Sequence, residues 1–195
     1  MAGRDSSMFT LTRCGLMGAM AVILYYIEIP VVAFYKLDVS TLPAILAGFA
    51  MGPMQGLAVI VIKNLVHMLG TSTACVGELA DILMSGAFVA TASLFYRRRK
   101  TRRGALEAML LGIAAMTVAG VLVNYFILIP AYQTLMNLPL EAIIGMGQAA
   151  VPAVDSALKL VLLITAPFNV LKGGVLSALT YLLYKRVSPL LHTSR

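Results

Sequence analysis

Three polar side chains recur at helical spacing inside an apolar stretch near the C-terminal end of the sequence. Thr165, Asn169 and Lys172 of ITAPFNVLKGGVLSAL occupy positions i, i+4 and i+7, which share one face of a helix. Pro167 lacks a backbone donor and leaves the carbonyl of Leu163 without its helical partner. A buried cation is costly without a partner. The pattern predicts a polar wall facing a ligand, with an ion pair to a neighbouring helix as the alternative for Lys172.

A second polar group is divided between two segments joined by a short loop. The first segment carries cationic and amide groups and the second carries carboxyl and hydroxyl groups: Lys63, Asn64 and His67, then Glu78, Asp81 and Ser85. We interpret Lys63, Glu78 and Asp81 as a structural ion pair that neutralises charge inside the fold. The alternative is a proton relay that includes His67.

Asn124 stands alone among aliphatic residues in VLVNYFILIP. Such an asparagine either bonds a neighbouring helix or contacts a ligand. Its position does not decide between the two.

Sequence motifs for catalysis are missing. The chain contains no G-x-x-x-x-G-K-[ST] phosphate loop, no H-E-x-x-H and no G-x-S-x-G, which argues against ATP hydrolysis by that loop and against common hydrolase chemistry. Cys14 and Cys75 lie too far apart for a metal or redox motif. We therefore expect neither enzymatic activity nor a metal site.

The composition indicates a membrane protein. Of the 195 residues 60% are hydrophobic and 12% are charged, about half the charged fraction of soluble domains. Apolar stretches of bilayer length predict an all-α integral membrane protein with a single domain, residues 1–195. Six transmembrane helices are expected, at approximately 13–29, 41–52, 54–69, 76–96, 105–129 and 157–185. The alternative merges the second and third into one kinked span.

The basic residues predict the orientation. The run RRRKTRR at 97–103 lies between the fourth and fifth helices, Arg4 and Arg13 precede the first, and three basic residues follow the last: Lys185, Arg186 and Arg195. With six spans all three clusters lie on one side, which the positive-inside rule makes cytoplasmic together with both termini. We expect these residues to contact lipid headgroups and not nucleic acid. The opposite side carries the long segment 130–155, in which LPLEAIIGMGQAAV is expected to form a short surface helix.

Four collinear segments carry a family resemblance: YKLDVSTLPAILAGFAMGP, IKNLVHML, VNYFILIPAY and PFNVLKGGVLSALTYLLYKRVSP. Together they resemble the riboflavin-specific substrate-binding (S) subunits of energy-coupling factor (ECF) transporters. The resemblance implies a six-helix subunit of a bacterial cell membrane that binds the vitamin near the outer face. It also implies a separate energising module with a coupling transmembrane protein and two ATPase subunits. Riboflavin is then the transported ligand, and no cofactor is expected.

The resemblance also implies residue roles. By motif, Asn124, Asn169 and Lys172 would hydrogen-bond the flavin, and Gly48 would occupy a second-helix contact position. Asparagine amides suit the dione edge of a flavin because they both donate and accept. Aromatic residues available for ring contacts are Tyr125, Phe126, Tyr132 and Phe168.

Gly15 and Ala19 lie four residues apart on the first predicted helix. Small residues at this spacing allow another helix to approach closely. The resemblance assigns this surface to docking on the coupling protein.

Two other functions remain open from the sequence. One is an S subunit for a different vitamin. The other is a stand-alone proton-coupled carrier that uses the charged residues of the third and fourth helices.

Overall fold

The computed structural model describes residues 2–32, 35–71 and 73–192, and the side chains of residues 8–32, 35–71 and 73–183. Four of the basic side chains that predict the orientation lie outside that set: Arg4, Lys185, Arg186 and Arg195. The expected domain of residues 1–195 therefore extends slightly beyond the described part at both ends.

The described residues form a helical bundle with one small hairpin. The elements are α1 Ala2–Tyr25, β1 Ile29–Val32, β2 Tyr35–Leu37, α2 Leu42–Met51, α3 Pro53–His67, α4 Val76–Arg98, α5 Arg102–Val123, α6 Ile129–Leu135, α7 Leu140–Gln148, α8 Ala157–Leu160 and α9 Ala166–His192. The helices dominate, as the sequence predicts, and α7 matches the expected surface helix.

The hairpin corrects the expectation of an all-α chain. The first helix was expected at 13–29, but α1 ends at Tyr25, and β1 pairs antiparallel with β2. The segment IPVV is rich in β-branched residues, which favour extended backbone. Its proline cannot donate a hydrogen bond in a helix.

Five helical stretches are long and apolar enough to cross a membrane: Met8–Tyr25, Pro53–Gly70, Val76–Arg98, Arg102–Leu135 and Ala157–Leu183. The fifth expected helix, at 105–129, is therefore too short, because α5 continues into α6. Helix α2 is apolar but has only 10 residues, about half the length needed to span the hydrocarbon core.

Helices α2 and α3 form a tight hairpin and not one kinked span. Gly52 connects them with φ 125°, a conformation that favours glycine. Gly56 faces the start of the preceding helix so closely that a Cβ there would lie 2.8 Å from the Ala44 carbonyl oxygen and 3.0 Å from the Gly48 Cα. The missing side chains at Gly48 and Gly56 allow this approach.

The bundle has two ends that differ in composition. We call the end with the β-hairpin, the α3–α4 connection and α7 the cavity end. We call the end with Gly52 and the basic run 97–103 the arginine end. A hydrophobic core that includes Phe49, Phe88 and Tyr96 lies towards the arginine end, and a second core packs the hairpin against α6, α7 and α9 at the cavity end.

Two helical stretches widen into single π turns. Asn124–Leu128 separates α5 from α6, and Val161–Thr165 separates α8 from α9. A proline follows each, Pro130 and Pro167, and removes one backbone donor locally. The last helix therefore does not break at Pro167. It widens just before it, a geometry found frequently at functional sites.

Candidate ligand-binding cavity

A cavity of about 160 Å³ opens at the cavity end of the bundle. Its wall includes residues of α1, α4, the π turn after α5, α6 and α9. It also includes residues of what we call the hairpin segment, residues 28–32 and 35–38. Its polar lining includes Tyr35, Asp38, Asp81, Asn124, Tyr132 and Lys172. Aromatic and aliphatic side chains, including Phe168 and Leu128, complete the lining. An apolar wall with a few placed polar groups is typical of a small-molecule site.

Four buried charged residues meet at one side of the cavity, and we call them the charge quartet: Asp38, Lys63, Asp81 and Lys172. Lys172 Nζ lies 2.7 Å from Asp38 Oδ2 and 3.5 Å from Asp81 Oδ1. Lys63 Nζ lies 2.8 Å from Asp81 Oδ2. Two cations and two carboxylates thus balance their formal charge, and removing one member would leave a buried charge uncompensated.

Lys63 is the fully buried member of the quartet. Its side chain has 0% exposure, and besides Asp81 its ammonium donates to Ser40 Oγ at 2.6 Å and lies 4.5 Å above the centre of the Tyr25 ring. Lys63 does not line the cavity. These contacts join α1, the start of α2, α3 and α4, which suits a structural role.

Lys172 differs from Lys63 because it lines the cavity. An ammonium group has three donors, and the described contacts direct it to Asp38 and Asp81. A third donor is thus available for an acceptor on a ligand. The sequence left open whether Lys172 contacts a ligand or forms an ion pair, and this geometry is compatible with both, because Lys172 pairs with Asp38 and Asp81 and still lines the cavity.

Asp38 joins the hairpin segment to α9. Its Oδ1 accepts hydrogen bonds from the Ser40 backbone N–H at 2.9 Å and from the Ser40 hydroxyl, and its Oδ2 accepts from Lys172. Burial alone raises the pKa of a carboxyl group, but the ammonium groups of Lys172 and Lys63 outweigh it and hold the pKa of Asp38 below its usual value. Asp38 is therefore ionised at neutral pH.

Asn124 begins the π turn after α5, and its amide is oriented by three neighbours. Its Nδ2 donates to the Gly120 carbonyl at 2.8 Å and lies 3.6 Å from Met84 Sδ. Its Oδ1 accepts from the Tyr35 hydroxyl at 2.9 Å. Asn124 thus lines the cavity while being held by α5 and β2.

Thr165 lies one layer behind the cavity wall. Its hydroxyl hydrogen-bonds Tyr35, whose ring packs on Phe168 with 5.0 Å between centroids. Burial raises the pKa of the Tyr35 phenol well above its ordinary value. Tyr35 therefore stays a protonated donor that links Thr165 to Asn124.

Asn169 is 2% exposed and does not line the cavity. Its amide lies against Gly120, where a Cβ would overlap Nδ2. Nδ2 has no hydrogen-bond partner in the described structure. A buried amide donor without a partner is costly, so this group is available to a ligand that can reach it.

Glu78 lines the cavity but belongs to a cluster separate from the charge quartet. Its Oε1 lies 2.8 Å from His67 Nδ1, and its Oε2 accepts from Thr71 and Thr73, each at 3.0 Å. The His67 ring stacks on Tyr25 with 4.0 Å between centroids. The expected grouping of Glu78 with Lys63 is therefore corrected: Glu78 instead organises the α3–α4 connection.

Gly48 is placed outside the site. A Cβ at Gly48 would overlap Ser93 Oγ, and the residue lies seven positions after Thr41, roughly 10 Å further along α2 at 1.5 Å per residue. It serves the packing of α2 on α4, which corrects its expected contact with substrate. Tyr132, by contrast, is buried and lines the cavity.

Gly15 and Ala19 lie on an exposed face of α1. A Cβ at Gly15 would meet nothing within 4 Å. The face is thus uncovered in the described chain, and its role in docking stays a prediction.

Sequence reasoning missed Tyr35 and Asp38 as members of the site. Both lie in YKLDVSTLP, a segment that contributed to the resemblance but in which no site residue was predicted. A signal was present, because an aspartate two residues before a Ser-Thr pair is typical of a turn leading into a helix. Its contact with Lys172, 134 positions away, required the fold.

The family follows from a comparison of the whole chain. The sequence profile described as "ECF transporter, substrate-specific component" matches residues 9–184. The chain belongs to this family, in agreement with its apolar helices and its cavity near one end of the bundle. It is therefore a multi-pass membrane protein.

Individual relatives support the same assignment. The chain is 29% identical to "Riboflavin transporter RibU" of Staphylococcus aureus, over 91% of this chain and 89% of that protein. It is 28% identical to "Riboflavin transporter FmnP" of Bacillus subtilis, over 83% and 81%.

Solved structures share the fold. The structure titled "Structure and mechanism of the S component of a bacterial ECF transporter" has a TM-score of 0.74 at 26% identity, covering 95% of this chain and 99% of that one. A structure of ThiT from Listeria monocytogenes has a TM-score of 0.65 at 15% identity, covering 95% and 98%, and shows the fold alone.

Proposed function

We propose that this chain is the high-affinity riboflavin-binding subunit of an ATP-driven uptake transporter in a bacterial plasma membrane. It spans the membrane six times with both termini in the cytoplasm, counting α2 as a short span. It binds the vitamin at the cavity end, which faces outward. The ligand passes inward when the subunit docks on an energising module with a coupling membrane protein and two ATPases.

The observation that carries the proposal is the pairing of Asn124 and Lys172 on one cavity wall. The dione edge of riboflavin presents acceptor, donor and acceptor groups in sequence. An ammonium donor and an amide match such an edge, and an analogue without the matching groups would leave buried polar atoms unpaired. Asn169 lies one layer behind this wall, next to Asn124.

The charge of the cavity favours a neutral ligand. Among the described residues that line it, none is an arginine, and four are carboxylates: Glu28, Asp38, Glu78 and Asp81. A phosphorylated flavin would require a cationic clamp, and the two lysines of the lining, Lys36 and Lys172, are already paired with the carboxylates of Glu28 and Asp38. The riboflavin transporters named above are relatives over most of the chain, which supports the same ligand.

Purification in detergent tests the ligand directly. We expect the protein to retain a yellow flavin chromophore or to quench the fluorescence of added riboflavin with a dissociation constant below micromolar. Thiamine in excess serves as a competitor control and should not displace the flavin. A colourless protein without riboflavin binding below micromolar would contradict the proposal, and displacement by thiamine would favour the S subunit of another vitamin.

Uptake experiments distinguish the carrier alternative. Reconstituted with the energising module, the chain should accumulate riboflavin only when ATP is supplied. A stand-alone proton-coupled carrier would instead transport without the module and would stop when an uncoupler collapses the proton gradient. His67 and Glu78 lie in a cluster separate from Lys63 and Asp81, which belong to the charge quartet, and this separation is unfavourable for a relay through all four residues.

A further inference from the structure

The cavity is too small for the ligand proposed above. Its volume is about 160 Å³, whereas sites for drug-sized ligands measure roughly 300–1,000 Å³. A three-ring flavin can therefore enter only if part of the wall moves. Under the proposed function, at least one residue of the wall must therefore move.

Most polar residues of the wall are held by several bonds. Lys172 contacts two carboxylates, Asn124 is bound by Gly120 and Tyr35, and Glu78 accepts from three side chains. Moving any of them would leave buried polar groups unpaired, at a cost of about 1–3 kcal/mol each. These residues form the fixed part of the wall.

Met84 of α4 is different. It lines the cavity and is half-buried, and in the described structure its one polar contact is the weak one from Asn124 Nδ2 to its sulfur, at 3.6 Å. It also packs against both hydrophobic cores, so apolar surroundings are available to it on either side. An unbranched thioether changes rotamer at low cost.

Two asparagine amides lie beside the Met84 sulfur. Met84 Sδ would be 3.4 Å from a Cβ placed at Gly120, and the Asn169 Nδ2 converges on the same point. Asn169 is buried and its Nδ2 has no partner, while Met84 lies on the cavity surface. Both amides are thus close to the Met84 thioether, and of Met84 and Asn169 only Met84 lines the cavity.

We propose that Met84 is a specificity-determining residue whose side chain covers the polar floor of the cavity and rotates away when the ligand enters. The rotation enlarges the cavity and exposes the amide donors of Asn124 and Asn169 together. The ligand class this favours is a planar heteroaromatic compound with carbonyl oxygens along one edge. A ligand without such an edge would gain nothing from uncovering the two amides.

Two substitutions of opposite effect test the proposal with riboflavin. Met84→Ile keeps the apolar volume but stiffens the side chain at χ1, and we expect it to slow riboflavin association about tenfold. Met84→Ala removes the obstruction and should speed association. Association is followed by stopped-flow quenching of flavin fluorescence, with melting temperature as a check of folding. Met116→Ile, at a buried methionine of α5 away from the cavity, is the control and should leave the association rate unchanged.

A second measurement needs no riboflavin. In a Cys14→Ser, Cys75→Ser background, Asn169→Cys places a thiol behind Met84. We expect added Met84→Ala to speed modification of that thiol by methyl methanethiosulfonate about tenfold, because access requires an opening in the wall. Val170→Cys, at an exposed position of α9, should be modified at the same rate with either residue at position 84.

The outcomes separate the two proposals. Unchanged riboflavin association in both Met84 variants, or unchanged modification of the thiol at position 169, would overturn the role of Met84. If the wild type binds no riboflavin while Met84→Ala still speeds modification at position 169, the proposed function fails and the covering role of Met84 stands.

Discussion

The cavity end is held together by buried charges, whereas the arginine end is held together by small residues that allow close helix packing. At the cavity end the charge quartet joins the hairpin segment, α3, α4 and α9. At the arginine end Gly48 and Gly56 bring α2, α3 and α4 into contact, and Phe49 stacks on Tyr96 with 4.3 Å between ring centroids. Polar groups that could serve a ligand are therefore concentrated where a buried polar network already exists, while the other end depends mainly on close apolar packing.

The largest effect is expected from breaking the quartet at the cavity wall. Lys172→Met leaves Asp38 and Asp81 with one cation, and we expect a loss of about 3–5 kcal/mol in unfolding free energy together with loss of riboflavin binding. Thermal unfolding and fluorescence titration measure the two effects. The double variant Lys172→Met/Asp38→Asn should recover most of the stability but not the binding. Wild-type affinity in Lys172→Met would exclude a ligand contact by this lysine.

Substituting the other lysine of the quartet distinguishes a residue that lines the cavity from one that only stabilises the fold. Lys63→Met removes one of the two ammonium groups that pair with the buried carboxylate of Asp81. It should also cost about 3–5 kcal/mol in unfolding free energy. Because Lys63 does not line the cavity, the protein that remains folded should keep a riboflavin affinity close to that of the wild type. A selective loss of affinity at unchanged melting temperature would assign Lys63 to the ligand site.

The arginine end is tested by adding one methyl group. In Gly56→Ala the new Cβ would lie 2.6 Å from Val89 Cγ1 and 2.8 Å from the Ala44 carbonyl oxygen, so the α2–α3 hairpin must separate. Overpacking of this kind costs about 1–3 kcal/mol. Riboflavin affinity should be unaffected, since the change lies away from the cavity. Gly174→Ala, where a Cβ would meet nothing within 4 Å, is the matched control and should not lower the melting temperature.

A smaller effect is expected from removing one hydroxyl at the cavity end. Tyr35→Phe keeps the ring on Phe168 but removes the donor to Asn124 Oδ1, so the amide is less firmly oriented. We expect riboflavin binding to weaken by about 0.5–1.5 kcal/mol, measured by titration. Tyr125→Phe, at a more exposed tyrosine next to Asn124, should bind as the wild type does. Equal affinity in both variants would mean that Tyr35 does not orient the site.

The smallest effect is expected from an exposed ion pair. Lys159 and Asp155 are bonded at i, i+4 spacing outside the cavity, with both side chains about half exposed to solvent. Solvent screens such pairs, so Lys159→Gln should change neither the melting temperature nor riboflavin binding measurably. A clear loss of either would show that charge pairs matter at the cavity end even outside the buried network.

The sequence supported the main helical segments and part of the site. Apolar length predicted the long helices, because a bilayer imposes a minimum span. The spacing of Thr165, Asn169 and Lys172 predicted their common face, but the face does not open onto one cavity. Lys172 lines it, whereas Asn169 and Thr165 do not.

Several features could not be predicted because they depend on distant contacts. The β-hairpin ends α1 early and brings Tyr35 to Asn124, 89 positions away. Gly48 was expected at the ligand, yet the turn at Gly52 directs it into helix packing. Glu78 and Asp81 lie three residues apart on α4 but accept from different partners, since the choice depends on which side chains the neighbouring helices bring near.

The sequence by itself determined that this chain belongs in a membrane, which segments form its long helices and which polar side chains must find partners there. Hydrophobic length and the cost of burying charge act locally and are visible in the composition and spacing of residues. Only the tertiary structure decided which carboxylate meets which lysine, which amide faces the cavity and which methionine covers it. Those contacts join segments that are far apart in the chain. The spacing of residues in the sequence does not show which of these segments will come together.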